Sequence, residues 1–353
     1  MEGYDAANTA HHATATVPEA EPTEQWRLTL EKPLEFHTGP VVHDGRVYVG
    51  ARGDPRHYDG KLYLYALDAA TGSREWTHSL ARGLFSSAGA AAVDGTVYVR
   101  VPLRDATEVH ALDAADGTTR WTRQVGGDVV GSFVVVEDAL VVTAADSLLA
   151  LDVETGEQRW RTAVEPHSAQ PAVGNGAVHV GCTDDTVRAF DLATGDRRWR
   201  YEFDEAITTT PSIHDGVVYA GSSSRLVALA DGEETWTFEP TKDLSTPAVA
   251  VDDERVYVGG WRLYGLDAAT GDRQWARKFE VNAYLTTPPV VADGTVVAAP
   301  TGSLAAFDAA SGIPHWSVEG PWFTRGRPAV VDGRVYAAEE SGTLFAFADR
   351  SGD

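Results

Sequence analysis

Ala66-Leu67-Asp68-Ala69-Ala70-Thr71-Gly72-Ser73-Arg74-Glu75-Trp76 is a phrase that this chain repeats. Variants of it end at Trp121, Trp160, Trp199, Trp275 and Trp316, and a shortened one, Ala228-Leu229-Ala230-Asp231-Gly232-Glu233-Glu234-Thr235-Trp236, ends at Trp236. Upstream of each phrase lies a second one, typified by Pro40-Val41-Val42-His43-Asp44-Gly45-Arg46-Val47-Tyr48-Val49-Gly50 and echoed from Pro171, Pro211, Pro247, Pro289 and Pro328. Runs such as Val47-Tyr48-Val49 are β-branched and aromatic with period-two alternation, and Asp-Gly between two such runs is a strong hairpin signal. In Asp-x-x-Thr-Gly the glycine can take a positive φ and the aspartate can bond turn amides, so a second tight turn joins the last two strands. Each unit therefore reads strand, Asp-Gly turn, strand, loop, strand, Thr-Gly turn, strand.

The tryptophans Trp26, Trp76, Trp121, Trp160, Trp199, Trp236, Trp275 and Trp316 are separated by 50, 45, 39, 39, 37, 39 and 41 positions, so eight of the 10 are in register. A fixed period of this length is the mark of a propeller or solenoid. A four-stranded sheet cannot bury both faces alone, and a flat indole docked on the neighbouring unit supplies the stacking that blades need. The last unit reads Ala346-Phe347-Ala348-Asp349-Arg350-Ser351-Gly352 and carries no tryptophan in register, whereas Gln25-Trp26-Arg27-Leu28-Thr29-Leu30 is an orphan strand at the other end. Pairing the two removes the open edge that would otherwise template aggregation. The expectation is an all-β, eight-bladed propeller of four-stranded antiparallel blades over residues 25–353, closed by the N-terminal strand, behind a tail at residues 1–24.

Acidic residues number 52 against 29 basic, a net charge of −23, which disfavours nucleic acid and anionic membranes because phosphate binding needs clustered Lys and Arg. Lysine occurs only at Lys32, Lys61, Lys242 and Lys278, a profile like that of proteins from salt-in halophiles, where salt screens self-repulsion. Cys182 is the only cysteine, so neither an intrachain disulfide nor a cysteine-built metal site can form. No stretch approaches the roughly 20 apolar residues of a membrane helix.

The repeated Ala-x-Asp-x-x-Thr-Gly-x-x-x-Trp phrase closely resembles the docking motif of the pyrroloquinoline-quinone (PQQ) propeller family, over about residues 25 to 353. That family divides into quinone-dependent alcohol and sugar dehydrogenases and compact non-catalytic members that include a scaffold of outer-membrane barrel assembly. Many of the dehydrogenases clamp the quinone under a disulfide of adjacent cysteines, which Cys182 alone cannot form. The family's calcium-binding carboxylates and catalytic aspartate find no assignable counterparts here. The resemblance therefore implies a non-catalytic binding or scaffold propeller with no cofactor. The alternative it leaves open is a disulfide-free oxidoreductase using PQQ with calcium. Gly3-Tyr4-Asp5-Ala6-Ala7-Asn8-Thr9-Ala10 looks like the segment after an export signal or lipid anchor in secreted members, which implies an extracytoplasmic, envelope-associated protein; the alternative is a cytoplasmic protein with a loose tail.

Function in such folds is usually carried by loops, and here those between second and third strands and between successive blades gather at one channel mouth. Trp261, Trp322, Phe323 and Tyr284 lie off the docking register. With Arg325, Arg327, Lys242, Arg52 and His167 they are expected to form an aromatic and cationic mouth for an anionic planar ligand or a partner's acidic segment. The competing reading has aromatics plugging the channel and arginines pairing with carboxylates. His11-His12 lacks a third ligand at metal spacing, and Asp184-Asp185 and Asp252-Asp253 are common loop pairs in an acidic protein; no catalytic or metal site is expected, and the chain is expected to be a monomer.

Overall fold

The structure, a computed structural model, describes residues 11–12, 15–29, 39–52, 61–82, 90–103, 106–126, 133–166, 170–240, 244, 248–279, 283–285, 287–320, 327–339 and 342–350. These form eight antiparallel sheets of four strands, one of them extended by a fifth. The first blade is Val41–His43, Arg46–Arg52, Lys61–Asp68 and Arg74–Arg82, each strand pairing with the next in sequence. First strands of successive sheets touch one another in turn, and that of the eighth, Ala329–Val331, touches that of the first, so the ring is closed. The eighth blade takes its outermost strand, Thr23–Thr29, from the N-terminus, paired with Thr343–Ala348. The eight-bladed, N-terminally closed propeller read from the repeats is the fold observed.

Local chemistry explains each turn. In the first blade Asp44 and Gly45 have φ of 47° and 71°, the paired left-handed residues of a two-residue hairpin. Asp68 Oδ1 accepts from the Thr71 amide and hydroxyl, both at 2.7 Å, which fixes the second turn. Gly72, at φ 70°, then lies under the indole of the preceding blade: a Cβ there would come within 2.6 Å of the Trp26 ring.

The docking has two components that the motif alone does not state. Every outer strand carries a register shift one residue before its tryptophan, as between Glu24 and Trp26 or Thr119 and Trp121. A bulge of this kind re-aims the side chain out of the sheet toward the next blade. Opposite each tryptophan the third strand offers only Ala or Gly, for example Ala66 to Trp76 and Gly265 to Trp275. The alanine that opens the phrase is thus the seat of the indole. The core lies between blades: Trp26, Tyr336 and Leu344 of the eighth pack with Val42, Val47 and Leu67 of the first.

The segment ahead of Thr23–Thr29 packs on the ring. The backbone of His11–His12 pairs in parallel with Val291–Ala292, the first strand of the seventh blade. Ala15 and Val17 are buried with Trp316, Val335 and Phe347 between blades seven and eight. Thr16 O accepts from Gly333 N at 3.0 Å, and Trp316 Nε1 donates to Pro18 O at 2.8 Å. This short run lies beside the end of the third strand of the eighth blade, where Asp349 accepts from the amides of Glu19 and Ala20.

Candidate functional site

Of the expected mouth residues Trp261, Tyr284 and Arg327 are described with their side chains, and the fold brings the two aromatic ones together. Trp261 sits in the bend between Arg255–Gly259 and Arg262–Asp267 of the sixth blade, and Tyr284 in the connection from the sixth blade to the seventh. Their ring centroids are 5.2 Å apart with planes tilted by 39°. Trp261 is 45% exposed, one of two exposed large hydrophobic residues among those described; Ile313, in the Thr-Gly-type turn of the seventh blade, is the other.

The connection holding Tyr284 is fastened from both sides. Leu285 is fully buried, and its amide donates to Gly260 O at 2.9 Å. The Tyr284 amide donates to Thr301 Oγ1 at 3.3 Å, and Thr301 N donates back to Tyr284 O at 3.1 Å. Gly259 is required by this packing, because a Cβ there would collide with the Leu285 side chain. The loops of two blades are thereby locked around one aromatic pair.

The other residues of the expected mouth are distributed differently. Trp322, Phe323, Arg325, Lys242 and His167 lie outside the described residues, and of Arg52 the backbone alone is described, at the end of Arg46–Arg52. Arg327 is buried at 5% exposure rather than displayed at the mouth. Other arginines at this end are paired: Arg225 lies 3.6 Å from Asp204 and over the Phe203 ring at 5.4 Å, and Arg188 bonds Asp184. The acidic pairs are structural as well. Asp252 accepts from the Tyr257 hydroxyl at 2.8 Å and Asp253 meets His214 Nε2 at 3.1 Å. Burial pushes the Cys182 thiol above its ordinary value, so it is an inert core group.

A family model described as outer membrane protein assembly factor BamB matches residues 59–230 and 222–353. The chain belongs to this PQQ-like propeller family. Among curated relatives, the quinohemoprotein alcohol dehydrogenase of Comamonas testosteroni is 36% identical over 89 residues, covering 21% of this chain and 13% of the dehydrogenase. The serine/threonine-protein kinase AfsK of Streptomyces griseus is 34% identical over 177 residues, covering 44% of this chain and 20% of the kinase. The chain thus matches a fifth or less of the length of either relative.

Solved structures of the PQQ-like propeller fold superpose closely. BamB from Moraxella catarrhalis has a TM-score of 0.69 at 17% identity, covering 95% of this chain and 99% of that one. The Comamonas testosteroni dehydrogenase has a TM-score of 0.74 at 16% identity, covering 99% and 80%. At such identities the likeness is one of fold. The oxidoreductase alternative left open by the sequence calls for PQQ with calcium. Arg325 and Lys242, expected to meet the quinone, lie outside the described residues, and the described residues hold no group of three or more His, Cys, Asp or Glu side chains arranged for an ion.

Proposed function

We propose that this chain is a non-catalytic scaffold propeller that binds a protein partner at its loop mouth, with Trp261 and Tyr284 as the anchor, on the outer side of the cytoplasmic membrane. The observation that carries the reading is the Trp261 indole, 45% exposed yet packed at a tilt against a ring that two blades hold in place. Exposed, preorganised aromatics are the residues in which protein interfaces concentrate their energy. Membership in a family described as an outer membrane protein assembly factor supports the scaffold role and the location. Among the described residues there is no helix long and apolar enough to cross a membrane.

The test is site-specific photo-crosslinking in cells, with benzoylphenylalanine at position 261 or at position 313. One discrete adduct from position 261, absent from position 313, supports an anchored partner at the mouth. Identical adducts from both positions, or none from 261, would overturn it. Titration of PQQ with calcium addresses the dehydrogenase alternative: saturable quenching of tryptophan fluorescence at micromolar quinone would replace the scaffold reading by an oxidoreductase.

A further inference from the structure

Two blades have lost the same residue. Where the others place the turn aspartate of the phrase, as at Asp68, the fifth has Ala230 and the eighth has Ala348, each followed by an aspartate, Asp231 and Asp349. Six blades bond the residue after the phrase aspartate to the carbonyl of their own inner hairpin, as Ala69 N does to Gly45 O at 2.8 Å; among the described residues the fifth and eighth make no such bond. In the eighth the gap is filled by chain. Ala15 and Val17 are buried, Gly333 N donates to Thr16 O, Trp316 Nε1 donates to Pro18 O, and the Asp349 carboxylate accepts from the amides of Glu19 and Ala20 at 3.2 and 3.3 Å.

At the seam of blades four and five the corresponding groups are present, and among the described residues no segment of chain fills it. Trp199 corresponds to Trp316, Asp215-Gly216 to Asp332-Gly333, and Asp231 to Asp349. Seven docking tryptophans donate Nε1 to a carbonyl across the seam; Trp199 makes no such bond among the described residues. The second donor is missing too. In blades one, two, six and eight a tyrosine hydroxyl reaches that same carbonyl, whereas the fourth blade has His179, whose ring lies 5.5 Å from the Trp199 ring. His179 is 97% buried, and its Nδ1 has no hydrogen-bond partner among the described residues. Between these groups lies a cavity of about 530 Å³ whose lining includes the apolar Ile213, Val217 and Ala230, the rings of His179 and Trp199, and the charged Arg198. That is within the size range of specific ligand pockets. A cleft of about 450 Å³ at the seam of blades two and three is a useful contrast, because its Val153 carbonyl already receives both Trp121 and Tyr98.

We propose that the seam of blades four and five is a binding site for an extended peptide with alternating small apolar residues, seated as Ala15–Pro18 is seated between blades seven and eight. Backbone carbonyls of the peptide accept from Trp199 Nε1 and Gly216 N, following amides donate to Asp231, and two small side chains enter the apolar wall. Recognition is by backbone hydrogen bonds with alternate side chains read by pockets, a recurring mode of peptide capture. The site is on the turn face, away from Trp261, and does not depend on what the mouth binds.

The test uses the full chain with ¹⁵N-labelled indoles and a capped peptide of residues 15–20, Ala-Thr-Val-Pro-Glu-Ala. The Trp199 indole resonance, assigned through Trp199→Phe, is expected to shift saturably. Replacing the peptide valine by aspartate, or filling the cleft with Ala230→Phe, is expected to weaken binding at least tenfold. The valine replacement leaves the protein itself untouched, so its result stands even if Ala230→Phe perturbs folding. A Trp199 shift that grows with protein concentration and without peptide would support the site and assign its occupant to the tail of a second copy. No Trp199 shift up to the solubility of the peptide, or movement of the Trp316 resonance alone, would overturn the proposal.

Discussion

The Trp26 indole and the Tyr336 hydroxyl, from opposite ends of the chain, donate to a single acceptor, the Ala69 carbonyl, each at 3.0 Å. Their rings are 6.0 Å apart, so one residue of the first blade holds both halves of the split eighth blade. Closing a ring of blades depends on this seam in a way that no internal seam does. Trp26→Ala is expected to destabilise the fold by about 3–5 kcal/mol, and Tyr336→Phe, which keeps the ring and removes one donor, by about 1 kcal/mol. Denaturant unfolding measures both, and equal effects would show that the hydroxyl does more than share an acceptor.

The indole seat can be separated from turn geometry by two alanine substitutions. Gly45 and Gly72 have nearly the same φ, 71° and 70°, but a Cβ at Gly45 meets nothing within 4 Å, whereas one at Gly72 meets the Trp26 ring at 2.6 Å. Gly45→Ala is expected to cost about 1 kcal/mol, the ordinary penalty of a left-handed alanine, and Gly72→Ala several times that. If the two variants unfold at the same denaturant concentration, the docking contact contributes little.

The propeller and its closure were legible because tryptophan, glycine and aspartate recur at fixed offsets, and each has a steric or hydrogen-bonding reason to be there. The bulge before each tryptophan was not legible, since an inserted residue leaves no mark in a strand whose outer face is polar. Trp261 and Tyr284 stood out as aromatics off the register, but their pairing depends on two loops from different blades meeting, and spacing along the chain does not encode that. Ala15–Pro18 carries no turn signal or alternation long enough to read as structure. Its place follows from what the eighth blade lacks. The cleft at blades four and five was present in the sequence as a shortened phrase and a histidine in a tyrosine position, and only the joint loss of the cross-seam hydrogen bonds and of the turn aspartate shows what those irregularities leave open.

Burial pushes the His179 imidazole down to about 4, against the opposing pull of the nearby Ala172 carbonyl. An unfolded histidine titrates near 6.5, so between these values the unfolded chain binds a proton that the folded chain refuses. The contribution of His179 to stability is therefore complete above about pH 6.5 and declines as pH falls toward 4, by up to about 3 kcal/mol. His78, also lowered by burial, acts with the same sign, so the comparison must be between proteins. His179→Tyr is expected to remove close to one proton from the pH dependence of unfolding in this window, measured by urea midpoints from pH 7 to pH 4. Parallel curves for the two proteins would mean that His179 protonates without resistance in the folded state.

Salt should act on the whole molecule. With a net charge of −23 the folded chain concentrates like charge that the unfolded chain can spread, and the attraction of its exposed pairs is too local to offset this. Screening reaches about 10 Å at 0.1 M salt and about 3 Å at 1 M, which confines repulsion to immediate neighbours. The thermal midpoint is therefore expected to rise by several degrees between 0.1 and 1 M KCl and to rise less in a variant with a block of exposed carboxylates, such as Asp215, Asp253 and Glu254, replaced by amides. Those three are suitable because Asp215 and Asp253 are highly exposed and Glu254 bonds mainly its neighbour Arg255. A midpoint independent of salt, or an equal rise in both proteins, would separate the acidic surface from stability and leave solubility as its physical consequence.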